Sequence, residues 1–299
     1  MQTIYDQISS NKKETVVVMF AFVAVVTSLA YLCGEIFIGN GAGYPLMIFA
    51  VLFSSISSIS SYYFSDKIVL GIAGAKKVSR ETLPSVYGIL DNLCIGAGLK
   101  KIPDLYLIDD TATNAFATGR DPEHAVVAIT KGLVEKLDKR EIEAVLAHEL
   151  SHIKNYDIRL MTIVVILVGS ISMLANIFLR GGFKRNDRGK DVGGIIVLVG
   201  LVLLILSPII AQLIKFAVSR NREFLADASG ALLTRDPEGL ALALEKISAD
   251  TEALEVANEA TAHMYISNPL KKGKNSSKFA NLFETHPPAS ERIARLRSM

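Results

Sequence analysis

The residues His148-Glu149-Leu150-Ser151-His152 hold the densest chemistry in this chain. On an α-helix, histidines four residues apart project from one face a turn from each other. Two imidazoles so placed could hold a single Zn²⁺, with Glu149 pointing beside it. A catalytic zinc takes a third protein ligand and keeps one position for water. Candidates for that ligand lie downstream in Arg220-Asn-Arg-Glu-Phe-Leu-Ala-Asp227. Glu223 and Asp227 are again four apart and share a helix face, so Glu223 could bind the metal while Asp227 orients a ligand histidine. One Zn²⁺ per subunit held this way would activate water and polarise a peptide carbonyl, and Glu149 would take the water's proton and pass it to the departing amine.

These side chains need elements to hold them. Asp138 stands three residues before Glu141 at the head of an apolar-periodic run, a capping-box arrangement that predicts a helix from about Lys139 carrying both histidines. Asp236-Pro237 supplies the N-cap and first-turn proline of a helix over 237–249, and a helix over 219–233 precedes it. Upstream, a helix running to Leu93 ends at Gly96-Ala-Gly98. Three short β-rich runs, 105–108, 114–117 and 125–129, are separated by turn residues and read as a small antiparallel sheet. Asn114-Ala115-Phe116 lies in the middle run, where a strand edge could pair with an extended substrate backbone. The segment 287–297 reads as a short helix opened by proline. His124 and His263 fall outside any ligand spacing.

Half of the residues are apolar and 21% are charged, yet the mean hydropathy of +0.36 exceeds that of an ordinary water-soluble domain. Four uncharged stretches carry the excess: 15–34, 44–64, 160–179 and 192–214. Each is as long as a bilayer-spanning helix. The fold class that follows is α+β and mostly helical, an integral membrane protein with about four transmembrane helices and a small sheet. Its parts are an N-terminal transmembrane hairpin (1–65), a first part of the site-bearing domain (66–159), a second membrane hairpin (160–214) and the remainder of that domain (215–299). Lys12 and Lys13 precede the first hairpin and Lys67, Lys76, Lys77 and Arg80 follow it, which places both its ends in the cytoplasm. The basic loop carrying Arg180, Lys184, Arg185, Arg188 and Lys190 runs against that tendency if both later stretches cross. Arg220 and Arg222 could contribute positive charge near the site, but basic residues just after an apolar stretch are more often membrane-border anchors. The net charge of +2 excludes a nucleic-acid partner. Cys33 and Cys94 are too few for a disulfide framework or a cysteine zinc site.

The His148-Glu-x-x-His152 motif, the spaced Glu223-x-x-x-Asp227, the upstream Asn114-Ala-Phe-Ala-Thr-Gly119, and the terminal Thr285-His-Pro-Pro and Glu291-Arg-Ile-Ala-Arg-Leu resemble the HtpX family of membrane zinc metalloproteases, relatives of the CAAX prenyl proteases. The resemblance spans essentially the whole chain. It implies a zincin-like domain on the cytoplasmic face of the cell membrane, with zinc as the metal and quality control of membrane proteins as the setting. His148, His152 and Glu223 would be the ligands and Glu149 the base, with Asp227 supporting a ligand. His286, which precedes the rigid Pro287-Pro288 pair, is the candidate donor to a developing oxyanion. Substrates would be membrane proteins or unfolded polypeptides met at the lipid bilayer. The alternatives are a processing protease for one peptide or lipidated substrate, and a non-proteolytic membrane protein with incidental histidines. Against the latter, the polar groups expected along a transport path are missing from all four apolar stretches.

Overall fold

The computed structural model describes residues 4–35, 39–182, 219–257, 261–269 and 287–299. The fourth apolar stretch, 192–214, and His286 lie outside them. The first two stretches form α1 (Ile4–Cys33) and α2 (Gly43–Tyr63). Within them Ile8–Leu32 and Gly43–Tyr63 are long and apolar enough to cross a membrane. The third stretch lies in α7 (Asp157–Gly182). One face of α1 and α7 is joined: Val18 and Phe22 pack against Leu160, Ile163, Val164 and Leu167. The opposite faces of α1 and α2 leave Val17, Phe20, Phe49, Leu52, Ile56 and Ile59 exposed, an apolar area that water would penalise and lipid would cover.

After α2 come α3 (Ser65–Ile72), the two-residue strand β1 (Lys76–Lys77) and α4 (Pro84–Ala97). Proline opens α4, and Gly98, at φ 70°, ends it in the left-handed conformation that a glycine adopts without strain. Strands β2 (Asp104–Ile108), β3 (Ala115–Gly119) and β4 (Ala125–Thr130) follow, then α5 (Lys131–Lys136) and α6 (Lys139–Lys154). Asp138 and Glu141 make the reciprocal capping bonds that the sequence pattern requires of α6. Beyond α7 lie α8 (Arg220–Thr234), α9 (Pro237–Ala249) and α10 (Ala289–Arg297). Asp236 caps α9 by accepting from the Gly239 N–H.

The sheet is mixed rather than antiparallel as the sequence pattern suggested. Its order is β1-β2-β4-β3. β3 and β4 form an antiparallel hairpin, but β4 runs parallel to β2, from Asp104 opposite Val126 to Ile108 opposite Thr130. The turn after β2 throws β3 to the far side, where the Gly132 N–H holds Asp110 O at 3.0 Å, and β4 returns through the gap. β1 pairs antiparallel with β2 and is too short to show any alternation. Under the sheet, Leu105, Val127 and Ile129 join Val145, Leu146 and Leu150 of α6 and Leu90 of α4 in one core. α8 crosses α6 closely at Gly230, where a Cβ would lie 3.0 Å from the His148 backbone nitrogen.

Candidate active site

α6 is the spine of the site. Its i, i+4 geometry puts His148 and His152 on the face that meets α8, with their Nε2 atoms 3.2 Å apart. α8 brings Glu223 to them: its Oε1 stands 3.5 Å from His152 Nε2 and its Oε2 4.0 Å from His148 Nε2. His148, His152 and Glu223 are all buried, and each offers one donor atom within 4.8 Å of the others. Zinc bonds of 2.0–2.1 Å in tetrahedral directions set neighbouring donors roughly 3.3 Å apart. The three residues therefore fit a zinc ion in donor type and in spacing. Glu149 lies beside them with Oε1 buried and bonded to no described residue. An orphaned carboxylate oxygen at that point is the expected seat of a reactant proton.

Each imidazole is steered from behind. His148 Nδ1 is 3.0 Å from Asp227 Oδ1, and His152 Nδ1 is 3.0 Å from Asp157 Oδ2. Holding Nδ1 on a carboxylate aims Nε2 at the metal position and raises its basicity. Asp227 is itself gripped by Arg292 of α10, with Nε to Oδ2 at 2.9 Å and Nη2 to Oδ1 at 2.6 Å. The same guanidinium stands 3.5 Å from Glu223 Oε2. Asp157 accepts from Asn11 Nδ2 of α1 at 2.7 Å, and Asn11 also donates to Asn155 O at 2.8 Å. α1 thus reaches His152 through the side chains of Asn11 and Asp157.

The electrostatics follow from burial. Desolvation, with Glu223 close by, pushes the Glu149 carboxyl up to about 7. Burial lowers the pKa of His148 and the Arg292 charge adds to this, against the Asp227 hydrogen bond that raises it. Burial opposes charge on His152 as well, but the Asp157 hydrogen bond and the Glu223 carboxylate outweigh it and lift that group to about 9. Asp227 stays ionised because Arg292 overcomes its desolvation.

The structure brings together five of the residues singled out in the sequence: His148, Glu149, His152, Glu223 and Asp227. Ala115 and Phe116 are on β3, an edge strand packed on α6, and Asn114 immediately precedes it. Phe116 turns its side chain inward, fully buried and edge-on to Tyr265 at 5.0 Å, and pairs with Ala128 of β4, so on this strand the main chain of Ala115 is what could serve a substrate. Three supporting residues escaped the sequence reading. Asp157 is five residues past His152, at the head of an apolar run. Asn11 sits at the polar end of another. Arg292 shares with Leu296 the buried face of α10, and an arginine on an otherwise apolar stripe was the signal available for it. Arg222 pairs with Glu14 of α1 and approaches Asp157 to 3.6 Å, which brings its positive charge near the site.

A buried His-Glu-x-x-His helix with a glutamate from a second helix defines a metallopeptidase site. The model of peptidase family M48 matches residues 83–299, and the chain belongs to that family. It is 42% identical over 300 residues to the "Protease HtpX homolog" of Dictyoglomus thermophilum, covering 99% of this chain and 95% of that one. The "Protease HtpX homolog" of Tropheryma whipplei is 40% identical over 296 residues, covering 99% and 98%. Among solved structures, S. mikatae Ste24p aligns with a TM-score of 0.49 at 19% identity. The alignment covers 95% of this chain and spans 65% of that chain's length. The protein is thus a membrane metalloprotease, mostly helical with a small mixed sheet.

Proposed function

We propose that this protein is a membrane-anchored zinc endopeptidase that degrades misfolded or damaged membrane proteins, with its site on the cytoplasmic side of a multi-pass cell-membrane protein. One observation carries the reading: two Nε2 atoms and a carboxylate converge at zinc-ligand spacing while a third carboxyl, Glu149, lies beside them with an unbonded oxygen. His148, His152 and Glu223 would hold the ion, which when bound polarises the scissile carbonyl and activates water. Glu149 takes the attacking water's proton as its oxygen bonds to the carbonyl carbon. It returns that proton to the nitrogen as the C–N bond breaks. A carboxyl poised near neutrality suits both transfers. Asp227 and Asp157 fix the imidazoles, and Arg292 holds Asp227. The outward edge of β3 within the Asn114–Phe116 run, presented by the main chain of Ala115, would align an extended polypeptide by main-chain bonds, a mode that suits unfolded substrates of varied sequence.

The test compares zinc content and casein digestion in detergent for wild type, Glu149→Gln and Glu223→Ala. Glu149→Gln should keep its metal and lose about 10²–10⁴-fold in kcat, the usual worth of a general base. Glu223→Ala should bind zinc weakly. Equal activity in all three proteins would end the protease reading.

A further inference from the structure

β3 is the edge of the sheet, yet its outward edge is already taken. The Thr130 N–H donates to Asn114 O at 3.0 Å. The strand's alternation therefore turns the main-chain groups of Phe116 and Thr118 toward β4 and those of Ala115 and Ala117 away from it. The Ala117 N–H lies near the Glu149 carboxylate and favours its charged form. Ala115 O accepts from the Ile266 N–H at 3.0 Å. Two residues of strand span about 6.6 Å, so Ile266 is docked one or two peptide units from the proposed base.

The rest of its bonding is peptide-like as well. Arg292 Nη1 donates to Ile266 O at 2.9 Å, and Asn114 Nδ2 donates to Ser267 O at 3.0 Å. These contacts use the main chain of the segment and side chains of the site, the way an extended peptide is held at a sheet edge. The Arg292 that grips Ile266 O also grips Asp227 beside His148. The Ile266 side chain, 2% exposed, is sunk into the main core, and Tyr265 lies against Phe116. His148 is 1% exposed and Glu149 2%, so no polypeptide reaches them until something moves. α8 and α10 are tied together by buried ion pairs and α8 meets α6 at the His148–Asp227 contact, whereas residues 265–267 belong to no helix or strand.

We propose that Tyr265–Ser267 occupies the substrate groove as a built-in surrogate of substrate, that an incoming polypeptide displaces it, and that the seat of Ile266 receives a branched aliphatic side chain. This deepens the protease reading above and rests on it.

Full-length, zinc-loaded Glu149→Gln protein, which should bind polypeptide without cutting it, supplies the first measurement. The exchange of the Ile266 amide is followed with and without a saturating unfolded peptide containing leucine and isoleucine, whose binding is read separately by fluorescence anisotropy. Exchange at least tenfold faster with peptide bound is expected; unchanged exchange with peptide bound overturns the proposal. In the second, Ile266→Ala in the active enzyme should lower KM for the same peptide by threefold or more, and an unchanged KM in a folded variant overturns it. If that variant fails to fold, the exchange measurement decides alone. A third arm varies one peptide position from Leu or Ile to Asp: loss of displacement supports the aliphatic seat, and equal displacement removes it. If no peptide binds and zinc-loaded wild type cuts nothing, the protease reading itself fails, and the proposal with it.

Discussion

Four buried carboxyls, Glu149, Asp157, Glu223 and Asp227, close around two imidazoles, and Arg292 is the fixed cation that lets them coexist. Its fork donates two hydrogen bonds to Asp227, which a lysine, with a point charge and no planar fork, would not reproduce. Arg292→Lys should therefore loosen the Asp227–His148 pair and weaken zinc binding by 10–100-fold, the usual effect of disturbing a ligand's support. Competition with a chromophoric chelator measures this, and affinity within twofold of wild type would show that Asp227 holds His148 unaided. The difference between what was and was not legible at this scale is geometric. His148, Glu149 and His152, and again Glu223 and Asp227, announce themselves because a four-residue spacing on a helix already fixes a shared face. Arg292 meets Asp227 across 65 positions, and no local spacing encodes that. Asp157 is close in sequence to His152, but its orientation depends on the turn at Tyr156, whose φ is 62°.

Elements carry two couplings that can be tested apart from the chemistry. The first joins the membrane to the metal: Asn11 of α1 bonds Asp157, which bonds His152. Asn11→Ala should leave α1 inserted, since Asn11 lies at the polar end of the helix, before its uncharged stretch from Thr15. It should lower zinc affinity severalfold, less than Asp157→Asn does because it acts one bond further away; an Asn11→Ala protein with wild-type affinity would break this chain of contacts. The second joins α9 to the loop before β3. Asp250, just past α9, accepts from Thr113 N and Oγ1 at 2.9 and 2.6 Å and from Lys136 Nζ at 2.9 Å. Burial acts to raise its pKa, but these donors prevail and hold it well below the usual carboxylate range. A depressed carboxylate stabilises the fold above its unfolded pKa of about 3.9 and loses that contribution as pH falls toward the folded value. Asp250→Asn should thus melt below wild type at pH 7 by about 2 kcal/mol, the worth of hydrogen bonds to a charged group. The gap should narrow below about pH 4, and a constant gap in melts across that range would assign the loss to packing. Helix ends were legible because capping residues act locally, as at Asp138 and Asp236. The parallel pairing of β2 with β4 was not, because strand composition states nothing about which neighbours a strand finds.

At the scale of the whole molecule, the polar ends of α1, α2 and α7 meet in one belt. Lys12 lies 4.2 Å over the Tyr156 ring, Arg159 stacks on Tyr156 and Tyr62, and Arg120 on Tyr63. Aromatic and basic side chains gathered in this way mark a membrane–water boundary. The proposed metal ligand His152 is two hydrogen bonds from that belt, through Asp157 to Asn11. On the proposed arrangement the groove therefore works just above the lipid surface, where a substrate anchored in the same bilayer is confined near it. Confinement replaces a diffusional encounter with an effective concentration in the millimolar range for a short tether. For a given cleavable sequence at about 10 μM, fusion to a transmembrane anchor should raise the cleavage rate in proteoliposomes about a hundredfold over the unanchored form. Dissolving the vesicles in excess detergent, which separates enzyme from anchor, should abolish most of that advantage while leaving cleavage of the unanchored form unchanged. Equal rates for the two forms in vesicles would mean that the membrane helices hold the enzyme in place without helping it find its substrates.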